Sequence, residues 1–164
     1  MATSLSVNHQ FDAPPAAVYA LLTDRAFLER RLAATGGNDP SVVSLDADAS
    51  SARVVTRQSI PASVLPSVVA SMISGDPVAE RTETWRFDGE SYQADFAVVI
   101  KGAPASLQGT MSLIPSGAGS ALTVDGQAKV PIPLFGGKIE AVVAEQVDSL
   151  LGKENAYTAN ALAS

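Results

Sequence analysis

The succession of hydrophobic periods along this 164-residue chain predicts an α+β domain: a curved seven-stranded antiparallel sheet wrapped around one long C-terminal helix, with two short helices between the first and second strands. Three observations carry that reading. Apolar and polar residues alternate with a period of two in seven separate segments, the mark of strands with one covered face. Two short stretches of helical spacing follow the first of them. After Gly136-Gly137 the period changes for good to a single apolar stripe at helical spacing. A sheet with one apolar face must cover it, and only the terminal helix has the stripe to do so.

In chain order, Leu5, Val7, His9 and Phe11 alternate with Ser4, Ser6, Asn8 and Gln10 and form the first strand. Asp12-Ala13-Pro14-Pro15 ends it, and proline suits the first turn of the helix carrying Val18, Tyr19, Leu21 and Leu22. Asp24 is placed to cap a second helix with Phe27, Leu28 and Leu32, whose other positions, Arg25, Glu29, Arg30 and Arg31, are charged. Segments 41–47 and 53–60 read as a strand pair. Pro61 to Ser74 then interrupts the strands as a short helix or an apolar loop. Val78 to Phe87 is the next strand, and Asp88-Gly89 signals a hairpin into a strand with Tyr92, Ala94, Phe96, Val98 and Ile100 on one face. Leu107, Met111 and Leu113, then Leu122, Val124, Ala128 and Val130, complete an antiparallel meander. Ile139, Val142, Val143, Val147, Leu150 and Leu151 line one side of the final helix, with Glu140 and Glu145 assigned to its solvated side. Gly137 to Leu162 as one helix is about 39 Å long at roughly 1.5 Å per residue. There is no repeat, linker or charge block, so residues 1–164 read as one domain.

Composition narrows the chemistry. The chain has no cysteine and one histidine, His9. Disulfides, thiolate nucleophiles and cysteine or three-histidine metal sites are excluded, and no cofactor is implied. Eleven basic against 17 acidic residues give a net charge of -6. That sign disfavours general binding to nucleic acid and adsorption to anionic lipid. Met1 to Gln10 lacks the features of a signal peptide, and Val64 to Ile73 is too short and broken to span a membrane. The expectation is a cytoplasmic protein with no integral membrane insertion.

Two motifs point to a family. Phe11-Asp12-Ala13-Pro14-Pro15-Ala16-Ala17-Val18-Tyr19-Ala20-Leu21-Leu22-Thr23-Asp24 resembles the opening of START-like proteins, the helix-grip (SRPBCC) superfamily that includes polyketide cyclases and pollen-allergen-like proteins. Pro131-Ile132-Pro133-Leu134-Phe135-Gly136-Gly137-Lys138-Ile139-Glu140 resembles the lead-in to that family's last helix, and is similar to a bacterial branch catalogued as a domain of unknown function. The resemblance runs from about Ser4 to Leu162. It implies a cavity between sheet and terminal helix. Since a shared scaffold does not pass on an activity, function must come from the site. Aromatic residues are 5% of the chain, and the inward positions Ala94, Gly109, Gly126 and Ala128 are small, so side chains alone would leave room.

The expected wall is Phe96, Val98, Met111, Leu113, Leu122 and Val124 on strands with Ile139, Val143 and Val147 on the helix; ordinary core packing accounts for each equally well singly. Leu65, Val68 and Met72 form a candidate gate. His9, Tyr19, Arg81 and Glu83 are the polar candidates, with Trp85 sharing the parity of Arg81 and Glu83. Three functions follow: a non-catalytic carrier of a small hydrophobic molecule such as a lipid, isoprenoid or polyketide; a cyclase- or aromatase-type enzyme using His9 with a carboxylate; or a protein-interaction module with a dry core. Scarcity of titratable groups ranks the carrier first.

Overall fold

The computed structural model describes residues 2–35, 38–60, 67–71, 77–101, 104–134 and 136–163, with backbone alone at 38, 68 and 69. Seven strands make one antiparallel sheet: β1 (Thr3–Phe11), β2 (Asn38–Ala47), β3 (Ser51–Ser59), β4 (Val78–Asp88), β5 (Ser91–Lys101), β6 (Ala105–Ser116) and β7 (Gly119–Lys129). Their order is β1-β7-β6-β5-β4-β3-β2, so the last six form a continuous meander and β1 closes beside β7. Helices α1 (Pro15–Leu22) and α2 (Arg25–Thr35) lie between β1 and β2, α3 (Ser67–Ala70) lies between β3 and β4, and α4 (Gly136–Ala163) ends the chain. At 28 residues α4 is about 42 Å long, unbroken through the exposed Gly152.

Local chemistry sets the boundaries. Pro15 occupies the first position of α1, and Asp24 Oδ2 accepts the Phe27 amide at 2.9 Å to cap α2. The β4–β5 hairpin has the two-residue loop Gly89-Glu90, with φ 68° at Gly89 and the Glu90 amide donating to the Asp88 carbonyl at 2.8 Å.

Cross-strand registration resolves the sheet's inner face into rows. One row runs His9, Leu122, Leu113, Tyr92, Phe87; the next Val7, Val124, Met111, Ala94, Trp85, Ala52. Below them lie Leu5, Gly126, Gly109, Phe96, Glu83, Val54 and then Thr3, Ala128, Leu107, Val98, Arg81, Thr56. Trp85 is therefore inward and buried, and Arg81 and Glu83 point inward with it, whereas Phe87, at the strand's end, is 45% exposed.

Helix α1 closes one end of the grip. Val18, Tyr19 and Leu22 pack on Phe11, Trp85, Tyr92, Leu113 and Leu122; Tyr19 stacks on Tyr92 with ring centroids 4.1 Å apart. Helix α2 and the end of α4 share a second cluster of Phe27, Leu28, Leu32, Val42 and Val54, against which Tyr157 and Ala161 pack. The start of α4 corrects one assignment. Glu140 is buried, not solvated: it accepts the Val130 amide at 2.9 Å and the Thr3 hydroxyl at 3.1 Å, tying α4 to β7 and β1. Glu145 is exposed.

Candidate functional site

The inner face of the sheet beneath α4 has both fully and partly buried apolar residues. Toward α1 the inner face is sealed, with Met111, Leu113, Leu122 and Val124 all buried. Val98 on β5, Val7 on the edge strand β1 and Val143, Val147 and Leu151 on α4 pack against the core yet stay only half-buried, while Leu107 and Ala128 in Val98's row are buried. These side chains sit on the covered sides of sheet and helix. Phe96 is buried over Gly126; a Cβ there would come within 2.9 Å of the ring. Ile139 belongs to a separate small cluster with Val130 at the start of α4.

Charge converges on the same interior. Glu154 of α4 faces Arg81 of β4 (Nη2–Oε1 3.0 Å) and Arg31 of α2 (Nη2–Oε1 3.5 Å). Arg81 also pairs with Glu83 at 3.2 Å, and Trp85 Nε1 donates to the other Glu83 oxygen at 3.1 Å. Arg31 Nη1 donates to the Thr158 hydroxyl at 3.3 Å. Two guanidinium groups and two carboxylates thus balance, joining three elements in one network. Burial opposes charge on both Arg81 and Glu154, but each carries the opposite charges of its partners. Arg81 is held charged above its usual range by Glu154 and Glu83, and Glu154 below its usual range by Arg81 and Arg31.

The remaining polar candidates are separate. Burial, then Asp48 and Tyr92, push the Tyr19 hydroxyl up, and it donates to the Asp48 carbonyl at 3.0 Å, so it fastens α1 to the β2–β3 turn. His9 is half-buried with its ring 4.6 Å from Phe11, and it makes no side-chain hydrogen bond or ion pair to another described residue. The structure does not assemble it with a carboxylate. Leu65 and Met72 lie outside the described residues, as does the side chain of Val68. Among the described residues no group of three histidines and acids could hold a metal ion, and no helix is long and apolar enough to cross a membrane. Sequence reasoning missed Arg31, Leu151, Glu154, Asn155 and Thr158. Asn155 is buried on the inner stripe of α4 with its Nδ2 unpartnered among the described residues.

A groove of about 840 Å³ lies elsewhere, across the outer face of β4, β5, β6, β7 and β1. Its outward side chains are Ser4, Ser6, Thr82, Thr84, Asp95, Ala97, Gln108, Thr110, Asp125 and Gln127. Leu5, Phe96, Ala97, Gly109 and Gly126 contribute to the lining beside these hydroxyls, amides and two carboxylates.

Comparison with known proteins fixes the relationship. A family model described as a protein of unknown function (DUF2505) matches residues 6–162. The chain belongs to that family. The uncharacterized protein Rv0481c of Mycobacterium tuberculosis (strain ATCC 25618 / H37Rv) is 29% identical over 166 residues, covering 96% of this chain and 95% of its own. Among solved structures, this DUF2505 chain is similar to TTHA0849 from Thermus thermophilus, with TM-score 0.62, 20% identity, and coverage of 97% and 99% of the two chains. It is also similar to human STARD10, with TM-score 0.57, 13% identity, and coverage of 94% of this chain and 62% of that one. The DUF2505 chain therefore has the helix-grip scaffold that its two end motifs resemble.

Proposed function

We propose that this DUF2505 protein binds or carries a small hydrophobic molecule, such as a lipid, isoprenoid or polyketide, between the sheet and α4. The observation that carries the reading is the half-buried apolar set Val7, Val98, Val143, Val147 and Leu151 on surfaces that face each other. Affinity comes from apolar area: a ligand losing roughly 300 Å² to the interior gains several kcal/mol at about 25 cal/mol per Å² before entropy costs. Phe96, Met111, Leu113, Leu122, Val124 and Ile139 shape the wall from behind. Arg81 and Glu83, with Trp85 holding Glu83, present charge to a ligand's polar end, and Asn155 offers an unused donor. Tyr19 acts by holding α1 as the plug.

Native mass spectrometry of the purified protein and titration with a fluorescent fatty acid test the reading. Val98→Trp with Val147→Trp should weaken that titration at least about ten-fold, equivalent to about 1.4 kcal/mol, while unfolding remains cooperative. Absence of both co-purified and titrated ligand from the unsubstituted protein would sink it. His9→Ala separates carrier from catalyst. A carrier should shift affinity no more than about five-fold, the worth of about one hydrogen bond, whereas a catalyst should keep binding and lose turnover.

A further inference from the structure

Between β7 and α4 the chain turns after Val130. The turn is closed by the Ile132 amide on the Val130 carbonyl and the Gly136 amide on the Ile132 carbonyl, each at 2.8 Å. Leu134 in this turn is 95% exposed and has φ 70°, a left-handed conformation that leucine seldom takes. Its side chain gives the core nothing, and its backbone would be easier for glycine. An outlier that does no packing work is a lead toward function.

Charge is segregated along the same axis. Three of the four lysines lie at this end of the sheet: Lys101 closes β5, Lys129 closes β7 and Lys138 sits in the first turn of α4, all exposed. Lys129 and Lys138 pair with no described acid. Among the described residues near this end, Glu80 holds Arg57 at 2.6 Å and Lys101 at 3.3 Å, and Glu140 is buried. Asp39, at the start of β2, is five strands from β7. Asp12, Asp46, Asp48, Asp88 and Glu90 gather at the opposite end of the sheet. The net charge of -6 conceals this polarity.

We infer that Leu134, with Lys129 and Lys138, unpaired among the described residues, at the same end of the sheet, is a docking edge for an anionic lipid surface. The leucine enters the acyl boundary while the ammonium groups meet the headgroups. Charges farther than a screening length of about 8 Å contribute little, so distant acids do not forbid the contact. One apolar side chain and a few lysines give weak, reversible attachment. Docking stands apart from the proposed interior site, since it is read without any ligand.

Flotation with vesicles of phosphatidylcholine alone, or with added phosphatidylglycerol, tests it on the full chain. Binding is expected only to the anionic vesicles and should fall with salt. Lys129→Gln with Lys138→Gln should weaken it about twenty-five-fold, at roughly five-fold per lysine. Leu134→Gly should weaken it about ten-fold while thermal stability holds or rises, because glycine relieves the left-handed backbone. Equal binding to both vesicle types, or none, overturns the inference. So does a Leu134→Gly variant that turns a dimer into a monomer without changing vesicle binding, which assigns the edge to a second copy of this chain.

Discussion

Glu154→Leu is expected to lower the folding free energy by about 3–5 kcal/mol, measured by urea denaturation followed by circular dichroism. Two guanidinium groups share one oxygen of this carboxylate: Arg81 Nη2 at 3.0 Å and Arg31 Nη2 at 3.5 Å. Its side chain is 4% exposed and that of Arg31 is 7%. Leucine leaves Arg31 with the Thr158 hydroxyl as its recorded side-chain partner, and Arg81 with Glu83. The cost is that of stranding a buried cation. Arg31→Met added to Glu154→Leu should recover most of the loss, because two apolar residues fill the gap with no charge left over and Arg81–Glu83 remains paired. A loss under about 1 kcal/mol for Glu154→Leu would mean that water already reaches the network.

The same carboxylate gives an acid dependence of definite sign. Glu154 has a folded pKa below its unfolded value, the two arginines outweighing the cost of burial. The unfolded chain therefore takes up this proton first as pH falls. Its share of stability is complete above the ordinary glutamate range, near about 4.3, and is lost as pH drops through the lower folded value. In Glu154→Leu the slope of stability against pH below about 4 should be shallower than in the unsubstituted protein.

Why this network escaped the sequence shows where periodicity stops. Leu5, Val7, His9 and Phe11 alternate because one face of β1 is covered, and Gly89 reads as a turn because few other residues tolerate its φ of 68°. Such signals are local. A buried charge differs, because its partner is far along the chain: Arg31 meets Thr158 across 127 positions and Glu140 meets Thr3 across 137. Assigning Glu140 to the solvated side of α4 therefore misplaced it, and Arg31 was read only as one charged position of α2. A faint signal was present. Arg31 follows Phe27 by four and Leu28 by three, and Glu154 follows Leu151 by three and Val147 by seven, so both fall inside apolar stripes. A charge within a stripe announces a buried partner without naming it. The apolar wall was legible as an inward face, but which members stay half-buried depends on the sheet's curvature, which pattern does not encode.

That curvature underlies the second large effect. Gly109→Ala is expected to cost about 3 kcal/mol or more, at the upper end for overpacking, because what the new methyl meets is backbone. A Cβ at Gly109 would overlap the Asp125 carbonyl oxygen and come within 2.6 Å of Gly126 Cα, so β6 and β7 would have to part. Gly109 and Gly126 oppose each other across that pair, and Phe96 stands next to Gly109 on β5. Two missing side chains let the strands close and let the Phe96 ring lie over Gly126, which bends the sheet toward α4. Gly152→Ala is the matched control: it is exposed within α4 with nothing inside 4 Å of a new Cβ, and should stabilise by about 0.8–1 kcal/mol. Opposite signs for the same added methyl would separate close approach of the strands from the general effect of replacing glycine. A Gly109→Ala change within about 0.5 kcal/mol of zero, the range of an unremarkable surface substitution, would show that the bend does not depend on this contact.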